Sequence, residues 1–428
     1  MVLNQKWIYT TNKFIKIWID SFMKFQDCIK TTTKNVLLIE PEFPIPSKSR
    51  NHSNFLPIGL LKIAAYLRNK NINIQLIRHT DTINSNDIKF TPDLILITSL
   101  FTYWSKQVKD CVQYYKKLYS DTPVIVGGIY ASLMPEHCKT YTGCDGVIEG
   151  AIPEVDLVSP AYDLVDVDYQ ILRTSRGCLR NCSFCGNYKL SPFRKVASIK
   201  NQICSKRIIF YDDNILMNPH IKSILKELIS LRKQRKINYV ESQSGFDGRL
   251  LQKCPELAKM LKDAGFKYPK IAWDYGLKDA SNIKSQIDLL INAGYKSKDI
   301  SVFMIYNYDL DYDVLEAKRV KCAKYGVQVA DSRYRPLNQT FDNYNSHKRS
   351  QTSDDYYIHP NWTDEQIRKF RRHVRYHNIC IRFNTKFYSK NMEQMKLPKE
   401  TIRKYKSMDY ESVKKYLSDA WDLCAFHE

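Results

Sequence analysis

Apolar positions in this chain fall into short runs of two periods. The run NVLLIEP (35–41) has the length and β-branched content of a buried strand, while IGLLKIAAYLRNK (58–70) repeats its apolar positions at helical spacing. INIQLIRH (72–79), DLILITSL (93–100), PVIVGG (123–128) and DGVIEG (145–150) read as further strands, with a helical segment near 105–119 between two of them. Strands alternating with helices predict a doubly wound parallel sheet over residues 35–155. Gly127 and Gly128 close one strand, where a missing side chain either admits a ligand or makes a turn.

From about Tyr169 the runs are QILRTSRGC, KRIIFYDDN, NYVESQSGF, KIAWDYG, ISVFMIYN and VQVADSRYR, separated by helical patterns such as HIKSILKELISLRKQRK and IKSQIDLLINAG. Six such units over 169–338 fit a partial parallel barrel, whose chemistry gathers at the carboxyl ends of the strands, and each run ends in polar residues. Residues 339–428 form a mixed extension. Its stretch TFDNYNSHKRSQTSDDYYIHPNWTDEQ is expected to be either a tail packed on the barrel or a substrate-facing lid with Tyr344, Tyr356, Tyr357 and Trp362 as contacts. Residues 1–34 are an N-terminal extension in which Trp7, Phe14, Trp18, Phe22 and Phe25 alternate with lysines. This reads as a surface-seeking amphipathic helix, a segment docked on the domain, or sequence upstream of a start at Met23.

A chain of 428 residues, 43% hydrophobic and 12% aromatic, suits two folded domains rather than disorder. The formal charge of +21 raises the question of a nucleic-acid partner, and residues 189–236 hold twelve Lys or Arg against three acids. Ile, Asn, Lys and Tyr abound throughout, which favours overall composition over a nucleic-acid surface. No apolar stretch is long enough to span a membrane.

Cysteine changes the picture most. Cys178, Cys182 and Cys185 lie on the Gly-containing stretch TSRGCLRNCSFCGN, and no fourth Cys or His stands nearby; Cys204 is nineteen residues on. Three thiolates on one loop can hold three irons of a cubane cluster and leave the fourth open, as a catalytic cluster needs. A structural zinc would ordinarily show its fourth ligand at short spacing. Twelve scattered cysteines without a secretory signal point to a reducing, cytoplasmic setting.

At these residues, with Phe184 just before the last Cys, the chain resembles the radical S-adenosylmethionine (SAM) enzymes, whose mark is CxxxCxxC. The resemblance implies a 4Fe-4S cluster on the three cysteines, SAM chelated to the open iron, and an external one-electron reductant of flavodoxin or ferredoxin type. FLPIGLLKIAAYLR, ITSLFTY, VIVGGIYASLMPE and DGVIEG, in that order, are similar to the cobalamin-binding domain that precedes many such barrels. The implied fold is α/β: a cobalamin-binding-like Rossmann sheet, a partial (β/α)6 radical SAM barrel and a mixed extension. In that frame Ser99, Gly127, Gly128 and Glu149 face the corrinoid. The DxHxxG signature is absent, and neither His52 nor His79 stands in its place, so cobalamin is expected to lack a protein imidazole below cobalt, or the domain to hold no cobalamin.

For SAM, the resemblance implies that Asp212, Asp213 and Asn214 meet the amino group, though a helix cap is the competing role. Glu241, Gln243 and Arg249 are expected at the methionine or ribose part, with Asp247 as a rival partner for Arg249. Asp274 is placed at the ribose, Tyr306 and Asn307 at adenine, and Asp331, Arg333 and Arg335 at a carboxylate. The implied activity is reductive SAM cleavage serving methylation of an unactivated carbon. The alternatives are cobalamin-free radical chemistry, RNA modification included, and a non-catalytic iron–sulfur protein.

Overall fold

The computed structural model describes residues 25–45, 55–78, 88–191, 193–394 and 397–423. His52, His79 and residues 1–24 lie outside these, so the expectations placed on them do too. The chain divides into two compact units, Met1–Asp213 with Arg335–Asn343, and Asn214–Tyr334 with Tyr344–Glu428. The boundary expected near Tyr169 falls inside the first.

The first unit opens with β1 (Asn35–Glu40), α1 (Ile58–Arg68), β2 (Asn73–Arg78), β3 (Leu94–Ser99), α2 (Ser105–Leu118), β4 (Val124–Gly128), α3 (Ile129–Leu133), α4 (Pro135–Thr142) and β5 (Gly146–Ile148). All neighbouring pairs run parallel in the order β2-β1-β3-β4-β5. Side chains alternate across a strand, so β1 sends Leu37 and Ile39 to one face and Val36 and Leu38 to the other. The first face packs under Val108, Val112 and Tyr115 of α2, and the second under Leu60, Ala64 and Leu67 of α1. Covering both faces is why these strands read as unbroken apolar runs. Phe25 is fully buried in the second cluster.

Beyond the sheet, β6 (Tyr169–Leu172) pairs in parallel with β9 (Arg207–Phe210). Between them β7 (Ser175–Arg176) and β8 (Arg194–Lys195) form a short antiparallel ribbon that brackets the cysteine loop. Asp156 holds this ribbon to the sheet domain. It receives Arg176 of β7 at 2.6 and 2.9 Å, lies 3.7 Å from Arg194 of β8, and pairs with Lys62 of α1 at 3.4 Å. Burial alone would raise its carboxyl, but Arg176 and Lys62 beside it hold it at about 2.

In the second unit, α5 (Ile221–Lys233), β10 (Tyr239–Ser242), α6 (Glu256–Ala264), β11 (Lys270–Ala272), α7 (Ala280–Asn292), β12 (Ser301–Tyr306), α8 (Tyr312–Lys324) and β13 (Gln328–Arg333) alternate as expected. β11, β12 and β13 pair in parallel, and the bridges Val240–Phe266 and Phe246–Ile271 continue that sense from β10. α9 (Asp364–Phe383) follows, started by a capping box between Thr363 and Gln366 and ended by left-handed Asn384. The segment ahead of α9 is stapled down. Asn307, buried with φ 59°, donates to the Tyr357 carbonyl and accepts from the His359 amide, both at 2.8 Å. Trp362 donates to the Tyr308 and Leu310 carbonyls. Tyr356 and Trp362 are core residues, so the packed-tail reading holds for them. Among the described residues no helix is long and apolar enough to cross a membrane.

Two expected outcomes follow from this packing. Gly128 has φ 104°, and a Cβ there would lie 2.2 Å from the Ser99 carbonyl oxygen, whereas at Gly127 it would meet nothing nearer than 3.8 Å. Gly128→Ala is therefore expected to lower unfolding free energy in urea by about 2–3 kcal/mol, and Gly127→Ala by less than about 1. Asp156 is held below its ordinary value, so its contribution, about 2 kcal/mol, is present above pH ~3.8 and is lost as pH falls through about 2. Asp156→Asn should remove that acid-side slope and cost at least as much at neutral pH, where three cations lose their partner.

Candidate functional site

The cysteine loop is gripped at its stem by three carboxylates. Asp212, wholly buried just after β9, accepts from the Thr174 amide (3.0 Å) and hydroxyl (2.6 Å) and from the Ser175 amide (2.6 Å) and hydroxyl (2.8 Å). Burial pushes this carboxyl up, and those donors pull the other way. Asp213 accepts from the amide of Gly177 at 2.6 Å, where φ is 77°. Asp156 takes the two ribbon arginines. The DD pair thus separates: Asp212 is spent on the chain ahead of Cys178, while Asp213 remains half-buried beside the loop.

The three cysteines are half-buried and joined in no disulfide. The Cys185 amide donates to the Cys182 carbonyl at 3.0 Å, closing the turn, and the Arg180 amide donates to the Cys178 sulfur at 3.4 Å. Burial raises the Cys185 thiol, against a backbone donor from Asn187. Soft thiol donors on one turn with backbone N–H groups aimed at sulfur suit an iron–sulfur cluster. Among the described residues no three His, Cys, Asp or Glu side chains close around a single ion. A cubane gives each thiolate its own iron, so convergence on one point is not what it requires.

At the carboxyl edge of the sheet, the strand order reverses between β1 and β3, the usual ligand position in such folds. Aromatic rings line that switch point: Phe43 stacks on Trp104 (5.4 Å) and Phe101 on Tyr103 (5.0 Å). Ser99 turns inward instead of toward a ligand, donating to the Gly127 carbonyl (2.8 Å) and accepting from the Ala131 amide (3.1 Å). Ser132 repeats the device, donating to the Gly128 carbonyl and accepting from the Gly150 amide. These bonds hold the glycine turn open beside half-buried Glu149. His137, within the same domain, has Nδ1 on the Tyr130 hydroxyl (2.7 Å) and its ring flat on Tyr141.

The second unit gathers four of its polar residues. Asn214 donates to Asp247 at 3.2 Å and keeps a buried carbonyl oxygen with no partner. Asp247 caps the turn at Arg249 and pairs with it at 3.1 Å. Asp274, raised by burial, feels both Lys318 and Arg249. Gln243 follows β10, half-buried. Other expected contacts are spent in packing. Glu241 is bonded by Lys270 (3.1 Å) and by the Tyr239 hydroxyl. Asn307 is the staple described above. Arg333 lies over Tyr344 and Tyr356, and Arg335 pairs with Asp342 at 2.5 Å. Asp331 faces Arg371, and burial brings it to about 6.

Sequence reading missed Asp156 and Arg173. Asp156 sits in a stretch that reads as linker, and its partners are distant in sequence. Arg173 directly follows β6, with a buried Nε that has no hydrogen-bond partner. Burial, then Arg176, lowers it to about 10. Its one sequence signal was a cation at a barrel strand's carboxyl end.

Residues 52–156 match the family described as B12 binding domain. No curated protein matches the sequence. Among solved structures, the radical S-adenosylmethionine methyltransferase TsrM of Kitasatospora setae, determined with tryptophan substrate and a SAM analogue bound, aligns with 72% of this chain and 75% of its own at TM-score 0.53 and 15% identity. A cobalamin-binding protein of Desulfitobacterium hafniense DCB-2 aligns with 34% of this chain and 65% of its own, at 16% identity and TM-score 0.22, too loose a likeness to argue from. Residues 52–156 thus match the B12 binding domain family, on a chain whose fold is similar to that of a radical SAM methyltransferase.

Proposed function

We propose that this protein is a cobalamin-type radical SAM enzyme that methylates an unactivated carbon. The observation that carries the reading is a loop carrying three thiols at CxxxCxxC spacing, in the same compact unit as the stretch that matches the B12 binding domain. Methylation is favoured by the likeness to a methyltransferase. When bound, the cluster supplies reductive cleavage of SAM and the corrinoid supplies methyl transfer.

The chain's own residues divide the work. Cys178, Cys182 and Cys185 hold the cluster, and Asp212, Asp213 and Asp156 fix the loop that presents them. Asp213 accepts the SAM ammonium, and Arg173 offers its unpaired Nε to an anionic group at the same strand ends. Asn214, Gln243, Arg249 and Asp274 supply acceptors and a cation to the methionine and ribose parts. The turn at Gly127–Gly128, with Glu149 beside it, takes the corrinoid over the carboxyl edge, and the rings at the switch point offer no nitrogen ligand to cobalt. The reductant is an external one-electron donor of flavodoxin or ferredoxin type.

Anaerobic reconstitution with iron, sulfide and hydroxocobalamin tests the whole reading. The protein is expected to hold one 4Fe-4S cluster and one corrinoid, and to release 5′-deoxyadenosine on reduction with SAM. A cluster with SAM cleavage but without corrinoid would transfer the reading to cobalamin-free radical chemistry, and a cluster without SAM cleavage to a non-catalytic protein. Changing Cys178, Cys182 and Cys185 together to Ala should abolish iron binding and SAM cleavage in a soluble protein; retained iron would overturn the assignment. The acidic pair should also separate by measurement. Asp213→Ala is expected to weaken SAM binding at least about tenfold with iron retained, the loss of a charge-assisted hydrogen bond. Asp212→Ala should lower iron content itself, because four donors at the loop's stem lose their acceptor.

A further inference from the structure

The first unit contains nine residues from far along the chain. Arg335–Asn343 follows β13 in the chain and belongs to the same compact unit as Met1–Asp213. It is anchored on both sides of Leu337 at the switch-point loop of the sheet domain. The Ser105 hydroxyl donates to the Thr340 carbonyl at 2.9 Å, and the Arg335 guanidinium lies 4.7 Å from the centre of the Tyr103 ring, where its pairing with Asp342 aims it. Gln339, buried, donates to the Phe341 carbonyl at 2.6 Å and stiffens the turn between these anchors.

The middle of the segment reaches the cysteine loop. Gly186, directly after Cys185, has φ −93°, a conformation open to any residue, so its small size is a matter of space. A Cβ there would stand 3.2 and 3.4 Å from the two methyls of Leu337 and 3.7 Å from a methyl of Leu133 in α3. Leu133 belongs to the helix that springs from the Gly127–Gly128 turn. Three pieces of chain therefore meet at one point: the loop carrying the thiols, the helix after the glycine turn, and the returning segment. Carboxylates secure the loop at its stem, and this contact secures its far side.

We propose that residues 335–343 are a positioning strap, with Leu337 seated on Gly186 as the contact that fixes the cysteine loop against the carboxyl edge of the B12 binding domain. The proposal rests on the functional reading for its purpose, since the loop and that edge are the two cofactor positions whose spacing matters. It does not rest on it for its test. In the full-length protein, amide hydrogen exchange of residues 178–190 should quicken about tenfold in Leu337→Ala, because the far side of the loop then opens by local unfolding. Residues 94–128 should be unchanged. Gly186→Leu should quicken both the loop and residues 335–343 by displacing Leu337. Phe341→Ala, whose ring is 42% exposed, should leave the loop as it is. Loop exchange unaltered by Leu337→Ala, or equally altered by Phe341→Ala, would overturn the strap. In reconstituted protein, Leu337→Ala should keep both cofactors while changing the magnetic broadening between cob(II)alamin and the reduced cluster. A protein that binds neither cofactor yet shows the exchange effect would sink the functional reading and leave the strap standing.

Discussion

A loop proposed to offer three thiols to a cluster needs its stem held by other side chains. The burial of Asp212 meets that constraint. Its carboxylate collects four donors from Thr174 and Ser175 and so ties the chain entering the loop to the end of β9. Taking a carboxylate out of water is costly, and hydrogen-bonded neighbours are what make it tolerable. Asp213 and Asp156 extend the same logic to Gly177 and to both strands of the ribbon. With the stem held in this way, the turn itself is closed by the Cys185 amide on the Cys182 carbonyl and the Arg180 amide on the Cys178 sulfur.

The sheet domain shows a second use of that economy. Ser99 and Ser132 stand where a ligand contact was expected of the first, yet each bonds backbone on both sides and keeps a glycine turn open. The ligand edge is consequently built of backbone and ring faces, with the polar side chains beneath it as supports.

How far this was legible follows from what each residue type reports. NVLLIEP and DLILITSL were plain as strands because both faces are covered, and the alternation of strand and helix predicted the parallel sheet. The cysteine spacing needed no tertiary context. Asp212 and Asp213 were visible as a pair, but their division depends on which amides arrive at 174–177, and nothing in YDDN encodes that. Arg335 was placed as the end of a ligand-facing strand. It instead begins a segment that leaves the strand, because Asp342 and Tyr103 capture it. Asp156 was invisible for a related reason: its partners lie on other elements, and local pattern carries no trace of them.

The discontinuity of the first unit has a consequence in time. Leu337 follows Cys185 by 152 residues. At a synthesis rate of about 5–20 residues per second, the loop and its stem exist for roughly 8 to 30 s before that neighbour is made. During that interval Gly186 lacks one of its two walls. Arrival of the late segment then closes the loop's far side, so the loop takes its final packing only after residues 214–334 have been made.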